Sequence, residues 1–221
     1  MIFTFWEGSM PEYIGLCLRT WKMPFVVLNY SNLFQYTNFE VTPKLKQYTL
    51  PQISDCVRVH VLRDNGGYWL DADTIMIGEL PKENITGDPV TRENSIGLLY
   101  TEKGSPMFNE WAEYQDDILK RNPPNHWSLF GNAFTDKYIK EHTEITIHPI
   151  TDYQPERALQ GGTRSEKYIR FYFENNYHLE DIQSDLLMLH NSWTPQEYKR
   201  LNMNEVLQRN CTMSNILREI T

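Results

Sequence analysis

Cysteine is scarce: three residues in 221, Cys17, Cys56 and Cys211, far apart in the chain and without a C-x-x-C pair. Neither a zinc ribbon nor a disulfide framework follows from such a set, and reduced thiols are the plain expectation. Long apolar runs are missing as well. No stretch approaches the roughly 18 consecutive apolar residues that would cross a bilayer. The opening Met1-Ile2-Phe3-Thr4-Phe5-Trp6-Glu7-Gly8 has no basic leader and no extended apolar segment, so no signal peptide is expected. Basic charge is the third shortage. Lys and Arg total 21 against 29 Asp and Glu, a formal net charge of −8. An acidic chain holds a polyphosphate backbone poorly, so no nucleic-acid partner is expected. Any phosphate it binds must be gripped by a metal ion or by a few placed cations. Internal repeats, low-complexity segments and linkers are also absent, and the length suits one α/β domain over residues 1–221.

Aromatic side chains are plentiful: 13 Tyr, 10 Phe and 6 Trp, 13% of the chain. They serve cores, and they also stack on sugars and bases. Residues 2–6 read as a buried strand, a helix starts at Pro11, and Phe25–Leu28 is a second strand. Strand, helix, strand predicts a parallel sheet with a crossover helix. From Leu50, Pro51 can start a helix in which Ile53, Cys56, Val57, His60 and Val61 recur at helical spacing, and Asn65-Gly66-Gly67 stops it. Residues 68–70 then form a strand ending at Asp71-Ala72-Asp73, with residues 74–77 extended beyond it. Further strands are expected at 96–100, 144–148 and 185–189, and helices at 106–119 and, with a turn at Gly131-Asn132, within 128–140. Residues 161–165 read as a polar loop, and the tail from about 196 to 221 as mostly helical.

Asp71 and Asp73 carry the most chemistry. At positions i and i+2 of an extended chain they face one side. Two carboxylates so placed repel unless a cation neutralises them. Hard divalent ions such as Mn²⁺ or Mg²⁺ take oxygen ligands of this kind and leave positions for phosphate oxygens. The C-terminal edge of a parallel sheet is where α/β proteins bind ligands. A solvated turn is the bland alternative for a bare D-x-D. Asp55 and Arg58, one helical turn apart, are either a surface ion pair or a carboxylate and guanidinium that orient a sugar.

Taken together, Ser54-Asp55-Cys56-Val57-Arg58, then Gly66-Gly67-Tyr68-Trp69-Leu70-Asp71-Ala72-Asp73, resembles the signature of glycosyltransferase family 32. That family holds bacterial capsular polysaccharide synthesis enzymes and fungal mannosyltransferases, and the clostridial glucosylating toxins share these elements. Trp6 with Pro11 and Thr20-Trp21 is similar to the family's opening, and His190-Asn191-Ser192-Trp193 to its late H-x-S-W element. The stretch from 78 to 125 matches nothing in it, and Leu129-Phe130-Gly131-Asn132 matches only loosely.

The resemblance implies a GT-A-type α/β domain, with a Rossmann-like, mainly parallel sheet flanked by helices. It implies a retaining hexosyltransferase that uses a UDP-sugar and Mn²⁺ or Mg²⁺ to extend an oligosaccharide in capsule or surface polysaccharide synthesis. Asp73 and His190, with Asp71, would hold the metal. Asp55, Arg58 and Asp71 would orient the donor sugar, Trp6 would stack near the base, and Ser192 and Trp193 would lie at the diphosphate. Relatives act in the cytoplasm on lipid-linked acceptors at the inner membrane face. A tail carrying Leu201, Val206, Leu207, Ile216 and Leu217 among basic residues either touches that membrane or packs as an ordinary helix. A metal-dependent phosphohydrolase and a non-catalytic sugar-binding module are the rival readings.

Overall fold

The first apolar run forms β1 (Ile2–Phe5), buried along its whole length, as a strand covered on both faces must be. Parallel to it lie β2 (Phe25–Leu28) and β3 (Gly67–Leu70), in the register Phe3↔Val26 and Phe3↔Trp69. The computed structural model describes residues 1–82, 85–87, 94–143, 145 and 147–221. Within these the chain forms two compact units. The first comprises Met1–Glu7, Pro24–Asp71 and Pro81–Pro149, the second Gly8–Met23, Ala72–Leu80 and Ile150–Thr221.

The first unit is built on a mixed, mainly parallel sheet in the order β2-β1-β3-β6-β5-β7. β6 (Asn94–Thr101) runs antiparallel to β3 and to β5 (Ile85–Gly87), and β5 is parallel to β7 (Ile147–Pro149). β5 falls in the stretch where the sequence offered no reading. Residues 144 and 146 of the expected strand 144–148 lie outside the described residues, 145 is a bend, and 147–148 belong to β7. The long helix α2 (Leu50–Asn65) opens with a capping box between Thr49 and Gln52 and ends at Gly66, whose φ of 69° suits glycine. Its apolar residues Ile53, Cys56, Val57, Val59 and Leu62 enter one core with Trp111 and Phe108 of α3 (Pro106–Arg121) and Phe134 and Tyr138 of α4 (Asn132–Glu141). α4 starts at Asn132, at the turn expected at Gly131-Asn132, and not at 128. Residues 128–131 form a turn instead, and the carbonyl of Phe130 accepts from Trp111 Nε1 (2.9 Å) and Gln115 Nε2 (2.7 Å).

In the second unit α1 (Glu12–Arg19) lies beside β4 (Thr74–Met76). β4 does not extend β3; it pairs antiparallel with β8 (Leu186–Met188) in a separate two-stranded ladder. Trp21 sits beyond the helix and donates Nε1–H to the Thr74 carbonyl at 2.8 Å. The expected loop 161–165 is shorter than the sequence suggested, because Thr163 caps α5 (Arg164–Ile169) through a box with Glu166. The tail forms α6 (Met203–Gln208) and α7 (Thr212–Ile220). Val206, Met213, Ile216 and Leu217 are fully buried, which matches the packing reading of this segment. No helix among the described residues is long and apolar enough to cross a membrane. The three cysteines are buried and form no disulfide.

Candidate active site

The first unit gathers Asp55, Arg58 and Asp71. α2 carries Asp55 and Arg58 on the face turned inward, and β3 delivers Asp71 just past its end, where Asp71 N–H bonds the Gly97 carbonyl at 2.9 Å. Arg58 Nη2 lies 3.0 Å from Asp55 Oδ1 and 3.5 Å from Asp71 Oδ1. Its Nη1 donates to the carbonyl of Ile96, and its guanidinium stands 4.9 Å from the Trp69 ring centroid. This is no surface ion pair: Asp55 is 9% and Arg58 5% exposed. Burial pushes the Asp55 carboxyl up to about 7, against the pull of Arg58 downward and with the repulsion of Asp71 added. Asp71 differs, its side chain being 39% exposed. Its Oδ1 also accepts from Trp69 Nε1 at 2.9 Å. The arrangement fixes one carboxylate edge from below and leaves the group itself open to a ligand. Trp6, half-buried after β1, is tied through its N–H to the Leu28 carbonyl at 2.9 Å.

Two residues that the sequence named without a role of their own, Trp69 and Gly131, complete this cluster. Trp69 lies two positions before Asp71 on a strand, so the period of two could have paired them. Gly131 left no such trace. A Cβ there would fall 2.9 Å from Asp55 Oδ2 and 2.5 Å from Ile96 Cδ1, so the absence of a side chain is what admits the Asp55 carboxylate.

The second unit gathers Asp73 with His190-Asn191-Ser192-Trp193. Asn191 N–H donates to Asp73 Oδ2 at 2.7 Å, and Leu189 N–H to the Asp73 carbonyl at 3.0 Å. These bonds flank His190. A turn closes behind it, with Trp193 N–H and Thr194 N–H both bonding the His190 carbonyl, at 2.9 and 3.0 Å. Two buried tyrosines brace the turn. Tyr13 donates to Asn191 Oδ1 at 2.6 Å, and the Tyr168 hydroxyl is 2.8 Å from Thr194 Oγ1. Burial, with the Asp73 charge added, drives both phenol pKa values far above the ordinary tyrosine range, so neither ionises. Ser192 is exposed, and the Trp193 ring stands 4.2 Å from the His190 ring.

Among the described residues no three or more His, Cys, Asp or Glu side chains converge as a metal cage. A two-ligand site completed by substrate phosphate and water asks for less, and this unit offers such donors. His190 Nε2 is buried without a hydrogen-bond partner among the described residues, with Glu156 Oε1 next to it at 3.9 Å. Burial first, and then Arg164 and Arg157, hold the imidazole pKa down at about 4, so it is a neutral nitrogen donor at working pH. Asp73 adds a carboxylate oxygen. Oxygen plus imidazole suits a divalent ion such as Mn²⁺. Glu156 was not signalled by the sequence. It is buried, its carboxyl is pushed up to about 7 by that burial, and Tyr172 donates to its Oε2 at 3.4 Å.

An α/β chain thus presents a braced Asp-Arg-Asp cluster in one unit and an Asp with a histidine-bearing turn in the other. It belongs to the capsular polysaccharide synthesis protein family, whose model matches residues 1–216. Among solved structures the chain is similar to one described as "PaToxG Glycosyltransferase", at 18% identity and a TM-score of 0.47, over 65% of this chain and 68% of that one. A comparison with curated proteins gave no match.

Proposed function

We propose that this protein is a metal-dependent glycosyltransferase of the GT-A type. It moves a hexose from a nucleotide-sugar, expected to be a UDP-sugar, to an oligosaccharide acceptor with retention of configuration. The observation that carries this reading is the 2.7 Å hydrogen bond from Asn191 N–H to Asp73 Oδ2. It joins the second Asp of the D-x-D to the late histidine-bearing element across 118 residues, as a shared metal and diphosphate site requires. Membership of a capsular polysaccharide family supports the same chemistry.

In this reading Asp73 and His190 would hold a Mn²⁺ or Mg²⁺ ion, which would neutralise the departing nucleoside diphosphate. Asp71 presents its exposed carboxylate to the donor. Arg58 is a positioning residue, because its guanidinium is already spent on Asp55, Asp71 and the Ile96 carbonyl. Asp55 keeps that guanidinium in place, and the gain is the rate advantage of a fixed donor. Trp6 stacks near the base, and Ser192 and Trp193 flank the diphosphate. The acceptor hydroxyl attacks the anomeric carbon on the face the diphosphate leaves. The old C–O bond breaks as the new one forms, and the hydroxyl proton passes to a diphosphate oxygen.

A thermal-shift screen against UDP-, GDP- and CMP-sugars, with and without Mn²⁺, tests the proposal. Stabilisation that needs both nucleotide and metal is expected. Binding of glycan with neither would point to a sugar-binding module, and turnover without an acceptor to a phosphohydrolase. Asp73→Asn is expected to abolish transfer while the thermal midpoint stays near that of the parent. Full activity of that variant in excess EDTA would sink the metal assignment.

A further inference from the structure

An acidic chain that binds a diphosphate needs placed positive charge besides a metal. In the second unit most cations near the histidine-bearing turn are already engaged. Arg170 Nη2 donates to the carbonyls of Gln160 (2.8 Å) and Gly161 (3.2 Å), Lys167 Nζ to the carbonyl of Arg157 (3.3 Å), and Arg157 Nε to Gln154 Oε1 (2.5 Å). Arg164 is different. Among the described residues its guanidinium makes no hydrogen bond or ion pair. Glu166, the carboxylate nearest in sequence, is occupied by Thr163 N–H at 2.6 Å and Thr163 Oγ1 at 2.9 Å.

Arg164 is nevertheless held in place. Its guanidinium carbon lies 5.8 Å from the centroid of the Trp193 ring. A guanidinium lying against an indole face keeps its N–H edge unspent. That edge matches two phosphate oxygens at once, which a lysine ammonium cannot do. Resting on the reading given under Proposed function, we propose that Arg164 is the cation that grips the donor's diphosphate. Lying over Trp193, it turns its N–H edge to the phosphates beside His190-Asn191-Ser192-Trp193 and stabilises the charge that builds on them as the sugar leaves.

The test is isothermal titration with UDP in the presence of Mn²⁺, at two ionic strengths, on the full chain and on Arg164→Gln and Arg164→Lys. Because Arg164 is exposed, both variants should fold with an unchanged thermal midpoint. Arg164→Gln should bind UDP about tenfold more weakly, the scale of one lost charge-assisted hydrogen bond. Its affinity should also depend less on salt. Arg164→Lys should recover part of the loss. A Gln variant that binds UDP within twofold of the parent overturns the proposal and leaves the transferase reading intact. So does a loss that Lys fails to relieve and that leaves the salt dependence unchanged, since Arg164 would then only support the Trp193 ring. A parent chain that binds none of UDP, GDP or CDP overturns both.

Discussion

Asp55 and Gly131 show how residue-scale constraint makes this cluster. The Asp55 carboxylate is buried, so it must be paired, and Arg58 at 3.0 Å pairs it. Gly131 then lets the backbone approach where any side chain would intrude. Ile96 Cδ1 can swing aside, but the Asp55 carboxylate is tied to Arg58 and has nowhere to go. Gly131→Ala is therefore expected to cost about 1–3 kcal/mol, the usual range for overpacking. Urea denaturation reads that loss, and donor affinity should fall with it. A fully stable and active Gly131→Ala variant would show that Asp55 tolerates displacement. Of these two residues the sequence displayed only one. Asp55 belonged to a recognisable pair with Arg58, whereas the importance of Gly131 depends on a neighbour 76 positions away.

At the scale of elements, β3 does the positioning. It is short, but its N-terminal end is fixed by Gly67, whose φ is 94° and where a Cβ would lie 2.7 Å from the Met1 carbonyl oxygen. That contact sets the register of β3 on β1, and the register aims Trp69 and Asp71. Gly104 has a similar φ of 78° with nothing within 4 Å of the added atom, which makes it a control. Gly104→Ala should cost only the left-handed backbone term, about 1–2 kcal/mol. Gly67→Ala should cost clearly more, because a backbone carbonyl cannot rotate away as a side chain can, and should lower transfer as well. Equal losses in a denaturation series would refute the register argument. The Gly66-Gly67 stop was plain in the sequence. That β4 would leave the line of β3 and pair with β8 was not, since Thr74-Ile75-Met76 has the same extended pattern in either sheet.

For the molecule as a whole, pH is the informative variable. His60 is buried, stacked on Phe39 at 4.0 Å, and its Nε2 has no hydrogen-bond partner among the described residues. Burial holds its pKa at about 3, below the ordinary 6.5. The unfolded chain therefore takes up a proton from about pH 6.5 downward while the folded chain does not, so this group's contribution falls as pH drops from 6.5 towards 3. Asp55 and Glu156 act in the opposite sense. Their folded pKa values are raised to about 7, so they favour the folded state as pH falls from that value towards the ordinary carboxylate range. Comparing the parent with His60→Leu isolates the histidine. The stability difference between the two should change by about 1.4 kcal/mol per pH unit below 6.5, and a flat difference would mean that His60 is hydrated in the folded state.

The sequence by itself determined the α/β class, the strand-helix-strand opening, the long α2 helix and its glycine stop, and the residues on which the active-site hypothesis rests. Those features depend on local spacing, on turn chemistry and on the pairing of motif residues a few positions apart. Only the tertiary structure decided that Asp55 and Arg58 are buried rather than a surface pair, that Asn191 donates to Asp73, and that the α6–α7 tail turns its apolar residues inward. It also showed that, among the described residues, Arg164 lies unpaired over Trp193. Each of these depends on which groups exclude water from one another, and that is set by contacts between residues far apart in the chain, which no local pattern encodes.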